Sequence, residues 1–392
     1  MKNKAIKHLV IVGGGSSAML AAAYIRAHTN YDITMVDRPD GKPIGVGEAT
    51  ILNFEPYMQA CGFPYQEWFD YCDATIKTGI LFSGWGNKKH SPDLWHPFIE
   101  GRSMEDFYDN DERGYHIDCL KLAKYIEEKL KDKVNWVKDN VIKLDGDTLI
   151  CENKKIKADL FIDCTGFRSM LQKEKTVNLR DRLICDTAIA GPVEYKDDSE
   201  RLHYTTCHAV SCGWIWKTPV RSRIGSGIIF NRSITKPKEA KKIFLEHWDN
   251  RPKIAKEINW TPYYKNTFWK NNVVRIGLAS GFIEPLESTG LALAMEGAYQ
   301  LVATTRDNNY NQNSIDLYNS VIKHFYEDAI NFISLHYNLN NRKEKFWKDA
   351  KKLAISNAQK YYAKMDNPKQ YPHSNYSFFN QPNWLCLLDQ LK

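Results

Sequence analysis

Residues His8 to Asp37 constrain this chain more than any other segment. His8-Leu9-Val10-Ile11-Val12 reads as a short buried strand running into Gly13-Gly14-Gly15-Ser16-Ser17-Ala18, which fits G-x-G-x-x-A. Ala18 to Arg26, rich in Ala and Leu, reads as a helix. Asp32-Ile33-Thr34-Met35-Val36 reads as a second strand ending at Asp37. This is the βαβ dinucleotide fingerprint with its acid at about the expected offset. Gly13 permits the tight turn, Gly15 lets the backbone approach a pyrophosphate, and Ala18 lets helix and strand pack closely. Ser16 and Ser17 sit at the helix start, where free N–H groups and a partial positive charge favour phosphate. Asp37 can accept hydrogen bonds from a ribose diol. The plainer alternative is a glycine turn in an ordinary βαβ unit; the flanking elements and the acid favour the nucleotide.

The fingerprint does not choose between NAD and FAD. Two later segments favour FAD. Ala158 to Arg168 is a strand running into a Thr165-Gly166 turn, and Val273 to Ala279 is a strand with Gly277 at its end. An extended FAD is held by several returns of the chain to one domain.

At 392 residues the chain is one large domain or two to three smaller ones, and its 26% charged and 43% hydrophobic residues exclude disorder and fibrous repeats. The net charge of +7 is mild and dispersed, so it does not argue for nucleic acid. Nine cysteines without a C-x-x-C pair point to reduced thiols in a cytoplasm, not to a disulfide framework or zinc site. Lys2, Lys4 and Lys7 before the uncharged stretch Leu9 to Ile25, with Ala21-Ala22-Ala23, imitate a signal peptide, but three glycines break the run. No stretch is expected to span a membrane. His116 has no partner at metal-ligand spacing, and no metal is expected.

Further segments resemble the flavin-dependent halogenases of the tryptophan halogenase type. Gly213-Trp214-Ile215-Trp216-Lys217-Thr218-Pro219 is similar to the family's W-x-W-x-I-P motif, with Thr218 replacing Ile. Gly281-Phe282-Ile283-Glu284-Pro285-Leu286-Glu287-Ser288-Thr289-Gly290 is similar to its P-L-E-S-T-G segment. Ala74 to Ile80 looks like the strand carrying its reactive lysine, and Val46-Gly47-Glu48-Ala49-Thr50 like a segment near its flavin. Weaker matches are His96-Pro97-Phe98, Tyr115 to Asp118, and Leu335-His336-Tyr337 followed by Phe346-Trp347. The matches run in the family's order over most of the chain. The chain is shorter than most tryptophan-halogenating members, and the missing length falls largely where substrate is covered.

The resemblance implies an α/β fold. Its core is an FAD-binding doubly wound domain of the three-layer ββα, glutathione-reductase-like kind, with an inserted substrate-side β-sheet and a C-terminal helical region. It also implies the chemistry. Reduced FAD and O2 give a C4a-hydroperoxide that oxidises halide to hypohalous acid. The acid reaches a lysine and halogenates an electron-rich aromatic small molecule of indole or phenol type.

Carried over by the resemblance, Lys77 is that lysine. Its ammonium can hydrogen-bond hypohalous acid, or its amine can form a haloamine. A solvated surface charge is the ordinary reading of a lysine, but Ile76 and Ile80 flank this one. Glu287 is the carried-over carboxylate, able to orient Lys77 and accept the ring proton, with Ser288 placed to help hold it. Capping of an apolar helix from Leu291 to Val302 is the bland reading of the same residues, and both can hold. Thr289 and Gly290 match the family's halide site. Trp214 and Trp216 alternate onto one strand face, as core packing or as a gate keeping substrate from the flavin. Ala49 and Gly277 join the cofactor-binding set. His96, Phe98, Tyr337, Phe346 and Trp347 are candidates for stacking the substrate ring, with core packing as likely for each.

The expected organisation is a discontinuous FAD domain over 1–60, 110–185 and 270–305, a substrate-side sheet from 60–110 and 185–270, and a C-terminal region over 306–392. That region is expected to be helical to about 363 and irregular from Asp366, with Phe378, Phe379 and Trp384 anchoring the tail. Only one nucleotide fingerprint is present, so a separate NAD(P)H flavin reductase is expected to supply reduced FAD. The tail could also serve a homo-oligomer interface. The competing readings are an FAD aromatic monooxygenase of the same fold and a catalytically silent nucleotide-binding protein.

Overall fold

The computed structural model describes residues 3–39, 41, 48–86, 91–98, 113–305, 308–353 and 377–391. Its central sheet has six strands in the order Trp269–Lys270, Val273–Arg275, Leu160–Asp163, His8–Val12, Asp32–Asp37, Asn135–Lys138. Five are parallel and the edge strand Trp269–Lys270 is antiparallel. Leu9, Val10 and Ile11 are all buried, as expected of parallel strands covered on both faces, whose sequences are continuously apolar and not alternating. On one face lie the helices Ser16–His28, Cys119–Leu130 and Thr289–Thr304, whose Ala and Leu side chains share the main core with Leu9, Ile11, Ile33 and Met35. On the other lies the meander Val141–Asp145, Thr148–Cys151, Lys155–Lys157, packing Leu149 and Cys151 against Val10, Val36 and Phe161. The result is the three-layer ββα arrangement.

A second sheet of seven strands has the order Lys256–Asn259, Thr187–Ala190, Ile224–Phe230, Gly213–Pro219, Thr205–Val210, Gly79–Ser83, Leu94–Pro97. Period-2 alternation sorts its side chains. Ile215, Ile228 and Phe230 pack under the helix Pro237–His247, whereas Trp214, Trp216 and Ile229 face the main core. A separate three-stranded sheet has the order Glu48–Ala49, Gly114–Ile117, Thr75–Lys77.

The assignment of 60–110 to the substrate-side sheet needs correction. Tyr65–Tyr71 is a helix, and Thr75–Lys77 pairs with Gly114–Ile117. At Thr78 the chain changes sheets, its N–H bonding the His203 carbonyl and its own carbonyl accepting from Phe98, and only Gly79–Ser83 and Leu94–Pro97 join the seven strands. Tyr263–Lys265 likewise leaves that sheet for one with Thr176–Asn178 and Gly281–Phe282.

The C-terminal region contains the helices Gln312–Leu339 and Lys345–Lys351. The expected irregular tail is corrected at its end, where Gln381–Leu391 is a helix; the expectations for 354–376 lie outside the described residues. Pro382 falls in its first turn, where a missing N–H costs nothing, and the Asn383 side chain accepts the Asn380 N–H at 2.9 Å. Phe379 stacks on Phe332 at 4.1 Å between ring centres, and Trp384 is buried. No helix among the described residues is long and apolar enough to cross a membrane.

Candidate active site

A cavity of about 580 Å³ opens at the carboxyl ends of the central strands, a size within the range of cofactor pockets. Gly13, Gly15, Ser16, Ser17, Ala18, Asp37, Ala49 and Gly277 all line it. Gly13 has φ +133°, and a Cβ there would strike the Cys164 carbonyl. A Cβ at Gly14 would collide with the Asp37 carboxylate, so the middle glycine is as constrained as Gly13. At Gly15 a Cβ would meet nothing within 4 Å, leaving the backbone open to the cavity. Gly15 caps the helix Ser16–His28 without any side-chain hydrogen bond, so first-turn N–H groups remain available. Gly277, at φ +66°, faces Ser17 so closely that a Cβ would hit its hydroxyl.

A second helix start meets the same cavity. Thr289–Thr304 is also capped without a side-chain bond, by Ser288 in the left-handed region at φ +60°. That conformation costs a non-glycine residue about 1–3 kcal/mol and is found where surroundings over-determine it. Ser288 and Gly290 line the cavity, and a Cβ at Gly290 would meet open space. Thr289 is fully buried, and its hydroxyl has no partner among the described residues. Two uncapped helix starts, an acid at a strand end and this volume fit an extended dinucleotide with an anion beside it.

Lys77 lies behind the Ser288 wall. It is completely buried, and its Nζ donates to the Ser288 hydroxyl at 2.9 Å and the Thr50 carbonyl at 3.0 Å. The Phe98 ring lies 4.7 Å from the same nitrogen. Burial pushes the amine down to about 7 against the pull of the nearby Glu287 carboxylate. Glu287 is completely buried too. His96 Nδ1 lies 3.0 Å from one of its oxygens, and His336 Nε2 lies 2.8 Å from the other. Burial raises this carboxyl, but the two histidines outweigh burial and hold it down at about 2.

Two details differ from expectation. Among the described residues Lys77 makes no direct ion pair with Glu287; Ser288, the residue after the acid, holds the amine with its hydroxyl. The carboxylate is oriented instead by His96 and His336.

Trp214 and Trp216 both line the cavity, as alternation predicts. Trp216 lies over Gly227, where any Cβ would collide with the indole. Trp214 Nε1 donates to the Tyr337 hydroxyl at 2.8 Å, and that hydroxyl donates to Glu284. Burial pushes the Glu284 carboxyl up to about 7, although Tyr337 and Cys185 donate to it. Tyr337 is therefore corrected from a ring-stacking candidate to a buried brace for Trp214. Phe346 and Trp347 are corrected too. Both are buried against each other, and Trp347 packs edge-on to Trp85 with its Nε1 on the Val210 carbonyl. His96 and Phe98 do flank Lys77 and Glu287.

Sequence reasoning missed Thr50 as a lysine partner, Cys207 in the cavity wall, Glu284 and Asn383. Glu284 carried a signal, since two acids stand in one otherwise apolar segment. His336 stood only in a weak match.

A ββα domain with a dinucleotide-sized cavity, and a buried amine and acid behind its wall, defines a flavoprotein-type enzyme. The chain belongs to the tryptophan halogenase family, which it matches over residues 8–108 and 110–392. It is a flavin-dependent halogenase. It is 27% identical to tryptophan 7-halogenase RebH of Lentzea aerocolonigenes, over 98% of this chain and 89% of that protein. It is 29% identical to 7-chloro-L-tryptophan 6-halogenase KtzR of a Kutzneria strain, over 88% and 81%. The crystal structure of the tryptophan 6-halogenase SttH from Streptomyces toxytricini superposes with a TM-score of 0.87 at 25% identity, covering 98% of this chain and 90% of that one.

Proposed function

We propose that this enzyme halogenates an electron-rich aromatic small molecule of the indole or phenol class, with Lys77 as the residue that presents the halogen. The observation that carries the reading is Lys77 itself. It is a fully buried amine, depressed to about 7 and tied through Ser288 to the wall of the nucleotide cavity. Reduced FAD with O2, when bound, supplies the oxidising power that turns halide into hypohalous acid. Gly13, Gly15, Ser16, Ser17, Ala18, Asp37, Ala49 and Gly277 hold the cofactor, and backbone N–H groups at Thr289 and Gly290 hold the halide. Trp214 and Trp216 stand on the flavin side and keep the organic ring away.

Near neutral pH Lys77 is divided between ammonium and amine, so it can donate a hydrogen bond to hypohalous acid or carry the halogen on nitrogen. Glu287 takes the ring proton. The proton on a halogenated cationic ring is strongly acidic, so even a carboxylate held at about 2 is base enough. His96 and Phe98 border the ring's position. A separate reductase supplies reduced flavin. Nine cysteines without a C-x-x-C pair support a reducing cytoplasm.

The test combines protein, reduced FAD, O2, bromide and a panel of indoles and phenols, with mass spectrometry of products. Brominated product from wild type and none from Lys77→Met is expected. No brominated product from either protein overturns the reading, and hydroxylated product without bromide would make the enzyme a monooxygenase.

A further inference from the structure

Both ring nitrogens of His96 have polar partners. Nδ1 faces the Glu287 carboxylate, at 3.0 Å from one oxygen and 3.2 Å from the other. Nε2 faces Asn383 Nδ2 at 3.1 Å. The Asn383 amide cannot turn over freely, because its Oδ1 already accepts the Asn380 backbone N–H at 2.9 Å. Its NH2 therefore points at Nε2. An amide NH2 only donates, so Nε2 must accept and the ring proton must sit on Nδ1, where it is given to Glu287. Among the described residues the ring also meets the aromatic rings of Phe332, Phe379 and Phe98, centred 5.3, 6.2 and 6.3 Å away. Among the described residues the charged or titratable groups at this cluster are Glu287, His336, Lys77 and the Cys207 thiol.

We infer that Asn383, on the C-terminal helix, is a positioning residue that locks the His96 proton on Nδ1 and so holds Glu287 oriented for the reaction. The role of Glu287 rests on the proposed function; the proton assignment does not. Asn383 is itself well placed. Asp328, on the helix Gln312–Leu339, accepts the N–H groups of Phe378 and Phe379 at 2.7 and 3.1 Å. Phe379 stacks on Phe332 and Trp384 is buried. The tail thus closes over His96 and finishes the acid's support from the far end of the chain.

Asn383→Asp is the discriminating variant. The carboxylate still accepts the Asn380 N–H, and an acid in the first turn favours the helix. Against Nε2, however, it accepts and does not donate, so it demands a proton there. The readout is the 15N spectrum of protein labelled at its eleven histidines, with His96 assigned by comparison with His96→Phe and no flavin present. Wild type is expected to show Nδ1 as a protonated nitrogen and Nε2 as an unprotonated one. Asn383→Asp should move the proton signature to Nε2, with or without loss at Nδ1. Where Nδ1 gives up its proton, loss of the hydrogen bond to Glu287 should lower kcat roughly 10- to 100-fold with flavin affinity unchanged. A wild-type spectrum with the proton on Nε2, or an Asn383→Asp protein with unchanged His96 signals, overturns the inference. The wild-type spectrum decides the assignment whatever the variant's stability, and it stays decisive even if no substrate is ever halogenated.

Discussion

Replacing Lys77 by Met should make the protein more stable at neutral pH. In the unfolded chain a lysine titrates near ~10.4, whereas burial holds Lys77 down at about 7. Between those values the unfolded chain binds more protons than the folded one, so wild-type stability rises with pH across that window. At and below the folded value the native state carries the penalty of a desolvated ammonium. That penalty is about 4 kcal/mol at pH 7 and falls below about 1 kcal/mol near pH ~10. Met has a similar length and no charge, but it forfeits the bonds to Ser288 and Thr50, worth about 1 kcal/mol each when the amine is neutral. Lys77→Met should therefore be about 2 kcal/mol more stable than wild type at pH 7, and about 1 kcal/mol less stable near pH ~10. Urea unfolding of both proteins at the two pH values measures this directly. A variant less stable at both values by the same amount would refute the claim that Lys77 is a desolvated amine.

The remaining predictions address other parts of the site. Gly277→Ala forces a side chain into φ +66° and against Ser17. It should cost about 1–3 kcal/mol and weaken FAD binding, read by flavin fluorescence titration. Glu287→Gln should lower kcat at least ~100-fold while leaving FAD affinity unchanged; wild-type turnover would remove Glu287 from the mechanism. Tyr337→Phe leaves the Trp214 N–H and the Glu284 carboxyl without their shared partner, at a cost of about 2–4 kcal/mol. The same change should alter indole fluorescence; an unchanged melting curve and spectrum would discard the bracing role.

What the sequence made legible follows locality. The strand, glycine turn, helix and acid of residues 8–37 are contiguous, so period and turn chemistry reveal both the βαβ unit and the residues facing its cavity. Lys77 and Glu287 are far apart, and no local rule joins them; they were paired only through motifs resembling a family. How they are joined was not legible. Ser288 reaches back to Lys77 because it adopts a left-handed conformation, and nothing in the string Leu-Glu-Ser-Thr-Gly announces that. Tyr337 and Trp347 show the opposite failure. An aromatic residue reads equally well as core or as pocket, and only the partner of its polar atom decides. Pro382 and its Asn-rich neighbours pointed to an irregular tail, since proline inside a first turn and proline in a loop look alike without the third dimension.

The most direct trial of the account separates making the oxidant from delivering it. Lys77→Met, given reduced FAD, O2, bromide, an indole and a soluble scavenger of hypobromous acid, should still consume flavin. It should brominate the scavenger and leave the indole untouched, whereas wild type brominates the indole first. Indole bromination by Lys77→Met at the wild-type rate would contradict the assignment of Lys77 as the residue that hands over the halogen.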